Sequence, residues 1–180
     1  MSPEQIALGV LAALVLFAGR LLRRIRRTPA RRRSEAPPPN GILVDGSNVM
    51  HWGGEPSTKV LIRVVKDLEA RGWAPIVVFD ANVGYKLSGR YMRGTDLAAL
   101  MDLPAAHVFV VQKGVVADEV LLDLARTHRL KVVSDDRFRD WRAQFPGIAA
   151  KGALVQGQWK DGSVVWRDAR LLRAPEAVGA

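Results

Sequence analysis

Four short aliphatic runs punctuate the chain: ILVD at 42–45, PIVVF at 75–79, HVFVV at 107–111 and KVVS at 131–134. Each is continuous and β-branched rather than alternating apolar with polar, the pattern of a parallel strand covered on both faces. The segments between them change period. In STKVLIRVVKDLEARG the apolar positions Val60, Leu61, Val64, Val65 and Leu68 recur at helical spacing, and Gly72 stops the run. TDLAALMDLP, 95–104, predicts a shorter helix ended near Pro104. VADEVLLDLARTHR, 116–129, repeats the helical spacing with Val116, Val120, Leu121 and Leu124. The order βαβαβαβ predicts an α/β fold, a three-layer open parallel sheet. Beyond it, ALVQGQW and SVVWRDARLL flank a Lys-Asp-Gly turn and predict a C-terminal hairpin within 151–180.

The first forty residues follow another pattern. IALGVLAALVLFAG, 6–19, holds no charged side chain, and carried through to Leu22 it gives 17 residues, at the short end of a membrane-spanning helix. Arginines follow it and no basic residue precedes it, the reverse of a secretory signal peptide. The expectation is a transmembrane anchor over 1–24 in the inner (cytoplasmic) membrane, single-pass, with the following domain facing the cytoplasm. A basic and proline-rich linker, 25–40, ends in SEAPPPN, where three prolines stiffen an extended spacer. The main domain then covers 41–150.

Charge changes little beyond this. The net charge is +9, but residues 1–35 hold eight arginines against two acids, and the other 145 residues carry 19 Lys and Arg against 16 Asp and Glu. The basicity belongs to one segment and says little about substrate. The chain has no cysteine, which excludes disulfides and thiolate metal sites.

In an open parallel sheet ligands sit beyond the carboxyl ends of the strands, and here those ends are acidic. The first strand delivers Asp45, with Ser47 and Asn48 in the turn. The second delivers Asp80 and Asn82. The third leads to Asp118 and Glu119 at a helix start. The fourth delivers Ser134, Asp135 and Asp136, with Asp140 a turn further on. Each has a structural reading: Asp45 and Asp136 as caps, Asp118 and Glu119 as helix-dipole partners, Asp140 paired with a neighbouring arginine. Together they repel one another, a conflict a divalent cation removes. Mg²⁺ suits an all-oxygen donor set, with Mn²⁺ as second choice.

With those residues placed, the sequence resembles the NYN domain of the PIN-like nuclease superfamily, in particular the Regnase-type ribonuclease NYN domain. ILVDGSNV (42–49), VVFDAN (77–82), ADEVLLDLA (117–125) and VVSDDRFRD (132–140) carry the resemblance. It implies a metal-dependent endoribonuclease acting on RNA. The catalytic set it implies is Asp45, Asn48, Asp118, Asp136 and Asp140, with Asp45, Asp118, Asp136 and Asp140 as metal ligands. Ser47, Asp80, Glu119 and Ser134 stand behind them. Where many members carry two aspartates this chain has Asp118-Glu119, and the family's CCCH zinc finger is absent. In NVGYKLSGRYMRG, 82–94, Lys86, Arg90 and Arg93 interleave with Tyr85 and Tyr91, a loop suited to phosphates and unpaired bases. Trp141, Trp159 and Trp166 read as packing residues. The expected function is hydrolysis of RNA phosphodiesters in single-stranded or loop regions. The alternative is a non-catalytic RNA-binding or scaffold module of the same fold.

Overall fold

The computed structural model describes residues 36–173, so the expected anchor and most of the linker lie outside the described residues. Among the described residues no helix is long and apolar enough to cross a membrane. Five strands form one parallel sheet: β1 (Gly41–Asp45), β2 (Ala74–Phe79), β3 (Val108–Val110), β4 (Val132–Val133) and β5 (Leu154–Val155). Their spatial order is β3-β2-β1-β4-β5. The chain winds outward from β1 through β2 to β3, then crosses back to β4 on the other side of β1 and continues to β5. β1 pairs with both β2 and β4, Val44 lying beside Val77 and Val133. The order therefore reverses between β1 and β4, and the crevice at their carboxyl ends is where such a sheet opens to a ligand.

The aliphatic runs explain themselves in the packing. Ile42, Leu43 and Val44 are fully buried, yet alternate residues face opposite layers. Ile42, Val44, Val77 and Phe79 pack with Leu61, Val64, Val65 and Leu68 of helix α2 (Thr58–Ala70) and Leu97 and Met101 of α4 (Gly94–Met101). Leu43, Ile76, Val78 and Val132 pack on the other side, against Leu121 and Leu122 of α5 (Ala117–His128) together with Phe138, Phe145 and Ile148. Helix start and stop signals are where the sequence puts them. The Ser57 hydroxyl accepts the Val60 amide at the start of α2, and Gly72 takes a φ of +83° just beyond it.

Three expectations need correction. Leu154–Val155 does not belong to the terminal hairpin but is the fifth strand of the parallel sheet, pairing with Val132–Val133. The hairpin is shorter, β6 (Gly157–Lys160) against β7 (Ser163–Trp166). The segment 82–94 is not an open loop: Val83–Ser88 is a helix, α3, anchored by the fully buried Val83. Its return segment lies so close that a Cβ on Gly84 would stand 2.5 Å from the Met92 amide nitrogen. Contact at backbone distance, not solvent, holds that segment.

Candidate active site

β1 runs its buried backbone directly into Asp45, which is 7% exposed, and the chain turns at once into the short helix α1 (Gly46–Val49). Gly46 allows this turn against β2, for a Cβ there would lie 2.3 Å from the Phe79 ring. Asp45 caps the turn, Oδ1 accepting the Asn48 amide at 3.0 Å, while Oδ2 accepts the Ser134 hydroxyl at 2.9 Å. The cap reading therefore holds for Asp45. Burial pushes its carboxyl up from 3.8 to about 6; the two hydrogen bonds pull it down, and the charges of Asp118 and Asp136 push it up again.

The segment after β4 is fastened residue by residue. The Ser134 hydroxyl oxygen that donates to Asp45 also accepts the Asp136 amide at 3.2 Å, so one side chain links the ends of β1 and β4. Asp136 Oδ1 accepts the Phe138 amide at 2.8 Å. Phe138 itself is buried with φ +46°, a left-handed backbone that a bulky side chain rarely takes. Asn48 does not touch the Asp45 carboxylate with its side chain. Its Oδ1 accepts both the Trp52 indole N–H and the Asp135 amide, each at 2.9 Å, tying the α1 turn to the β4 turn. Asp135 is held on the hairpin side, its Oδ1 accepting from Arg167 at 3.0 Å and its carbonyl from Gln156 at 3.0 Å.

Asp118, half-buried in the first turn of α5, completes a facing set. Burial raises its carboxyl above the usual range and the charge of Asp136 adds to it; a hydrogen bond from Trp141 opposes this, and Asp80 contributes a smaller push. Asp45, Asp118 and Asp136 therefore sense one another, with Asp80 beside them. Glu119 and Asp140 are exposed, and neither is among the charges that raise Asp45 or Asp118. Asp80 does not orient Asn48. Its amide donates to Ser47 Oγ at 2.9 Å, and its carboxylate receives the Asn82 amide at 3.1 Å and Lys86 Nζ at 3.1 Å. Of the expected cations, Lys86 is thus already paired, and Arg93 is paired with Asp96 at 3.0 Å on its own helix turn. Arg90 is exposed beside Tyr85 and Tyr91, which are 58% and 62% exposed.

A family model described as the Zc3h12a-like ribonuclease NYN domain matches residues 39–174. The chain belongs to that family. Two solved structures of Arabidopsis thaliana nuclear protein-only RNase P 2 are similar in fold to this NYN domain. One aligns with a TM-score of 0.54 at 14% identity over 93% of this chain, the other with 0.56 at 15% over 92%. This chain spans 37% of the length of each. No curated protein matches the sequence.

PIN-like and NYN nucleases generally use divalent metals, and the donors here can be tested against that need. Among the described residues no group of three or more acids or histidines stands as a ready-made metal cage. The facing acids nonetheless supply only oxygen, and the most buried of them is unfavourable as a bare anion. This suits a hard cation held by one or two carboxylates with water completing its shell, the usual habit of Mg²⁺. Sequence reasoning missed the residues around this NYN site's acids: Trp52 on Asn48, Trp141 on Asp118, and Gln156 and Arg167 on Asp135. Only the nearness of Trp141 to Asp140 and of Trp52 to Asn48 along the chain hinted at two of them.

Proposed function

We propose that this chain is a Mg²⁺-dependent endoribonuclease that hydrolyses RNA phosphodiesters in single-stranded or loop regions. The observation that carries the reading is a carboxylate buried at the sheet's switch point, with two further acids facing it and, among the described residues, no Lys or Arg paired with it. Asp45 and Asp136 would hold the ion, directly or through its water, and Asp118 and Asp140 would complete the acidic ring around it. When bound, a divalent cation would supply the positive charge that lets these acids ionise together, and would polarise a water for attack on phosphorus. The chain's own part is orientation. Ser134 fixes Asp45 and the backbone of Asp136 with one hydroxyl, and Asn48 fixes the two turns that carry them. Lys86, Arg90 and Arg93 would contact phosphates while Tyr85 and Tyr91 stack on unpaired bases. The same proposal places the domain on the cytoplasmic face of the inner membrane, anchored by residues 1–24.

The test uses the full chain in detergent with single-stranded and hairpin RNA, in Mg²⁺ or EDTA, beside Asp136→Asn. Cleavage that needs Mg²⁺ and disappears in the variant supports the enzyme. RNA retention without cleavage supports the second reading, a non-catalytic RNA-binding module. A reporter fused at Ala180 checks topology, and activity only outside the cytoplasm would reverse the orientation.

A further inference from the structure

The hairpin formed by β6 and β7 is more than a terminal appendage to the sheet. It is held at two places, on α2 and on Trp52. Trp166 donates to Asp67 Oδ2 of α2 at 2.6 Å, and Arg71 grips the same oxygen at 2.6 Å. Trp166 also meets Trp52 edge to face, ring centroids 5.8 Å apart. Gly157 lies so near Trp52 that a Cβ there would fall 2.7 Å from its ring. From this clamped hairpin the Arg167 amide donates to the Gln156 carbonyl at 3.0 Å, and both side chains reach Asp135.

Asp135 is the acid immediately before Asp136. Its carboxylate is drawn to Arg167, and its carbonyl to Gln156, while its amide goes to Asn48. The carbonyl belongs to the peptide that leads into Asp136, and the other two bonds hold the amide and the side chain of the residue just before it. We infer that Arg167 and Gln156 are positioning residues for the metal site: they hold Asp135 aside and so fix where Asp136 stands relative to Asp45. This rests on the nuclease reading above. Ligand orientation by outer partners is a general property of metal sites, and loss of such a partner typically weakens metal affinity or activity by about 10–100-fold. The Arg167–Asp135 pair is solvent-exposed, with side chains 49% and 42% accessible, so its contribution to stability is small and its geometric role can be read apart from folding.

The experiment uses the full chain and three readouts: Mn²⁺ affinity by calorimetry, single-turnover RNA cleavage, and thermal melting. Arg167→Ala is expected to weaken Mn²⁺ binding and lower kcat by about tenfold or more, with KM for RNA changed less than about twofold and the melting temperature little altered. Arg167→Lys restores most of both losses. Gln156→Glu, which sets a carboxylate against the Asp135 carbonyl, gives the same signature through a second side chain. Adding Asp135→Asn to Arg167→Ala costs little further, because both act through one contact. Unchanged Mn²⁺ affinity and kcat in Arg167→Ala would overturn the inference. So would a raised RNA KM at unchanged Mn²⁺ affinity, or full additivity with Asp135→Asn, since either makes Arg167 a phosphate contact. A wild-type chain that neither binds Mn²⁺ nor cleaves RNA sinks the nuclease reading itself, a different result from any of these.

Discussion

β1 and β2 lie side by side, β1 ending in Asp45 and β2 followed at once by Asp80, yet the two carboxylates live differently. Asp80 meets a lysine one helical turn into α3, with Lys86 Nζ 3.1 Å away. Among the described residues Asp45 meets an amide and a hydroxyl and no cation, and it is buried. Dipoles can orient a carboxylate but cannot cancel its charge, whereas a lysine does both. The difference shows how to read acids at a sheet edge. An acid already matched by the protein's own cation helps build the scaffold, and an acid left unmatched in a buried place is where the proposed cation would bind.

The largest expected effect separates these two acids by activity. Asp45→Asn keeps an acceptor for Asn48 and a partner for Ser134, yet single-turnover cleavage should fall roughly 10³-fold, the several kcal/mol a cation contributes to transition-state charge. Asp80→Asn should lower the same rate by no more than about tenfold. Equal losses would erase the distinction.

The next effect is on stability, and its sign is opposite. Asp45 binds its proton more tightly in the folded chain, where its pKa is about 6, than at the ordinary 3.8. Stability from this group is therefore fully present below about pH 4 and is lost as pH rises to 6, by about 3 kcal/mol. Denaturant unfolding in EDTA at pH 4 and pH 8 should show wild type losing that increment while Asp45→Asn does not. A difference that stays flat with pH would contradict the burial argument. At pH 8, saturating Mg²⁺ should then raise the wild-type melting temperature by several degrees and leave Asp45→Asn nearly unmoved.

The smallest effect tests the matched acid. Lys86→Ala should raise KM for RNA only a few-fold, since its ammonium is already engaged by Asp80, and should change kcat by less than about twofold. A larger effect than that of Arg90→Ala would mean the pair opens on binding RNA.

Much of this is legible in the sequence. The four aliphatic runs name four strands because strands buried on both faces need continuous apolar residues, and acids at or just past three of them, with Asp118 seven residues beyond the third, mark the edge. The sequence puts Asp45, Asp118, Asp136 and Asp140 in one set for that reason, and the charges of Asp118 and Asp136 reach Asp45 while Asp140 stands apart from them. What stayed hidden depended on distance in space. Leu154–Val155 is too short to carry a period, and its identity as a strand comes from lying beside β4. α3 is hidden because Gly84, Tyr85 and Ser88 are poor helix formers; the contact of Gly84 with the 90–92 backbone makes the turn worthwhile. Asp135 and Asp136 are the same residue type side by side, and contacts distant in sequence, to Asn48 and to Gln156 and Arg167, tell them apart.

Phe138 sets a limit on how this loop can change. Its left-handed backbone is strained, and its ring is the mooring that keeps the strain in place among Leu121, Phe145 and Ile148. Glycine would relax the backbone but leave a hole the size of a benzyl group, and a smaller apolar residue would keep the strain while loosening the hold. The stretch from Asp136 to Asp140 is thus a sprung latch, with no single substitution able to slacken the spring and keep the catch.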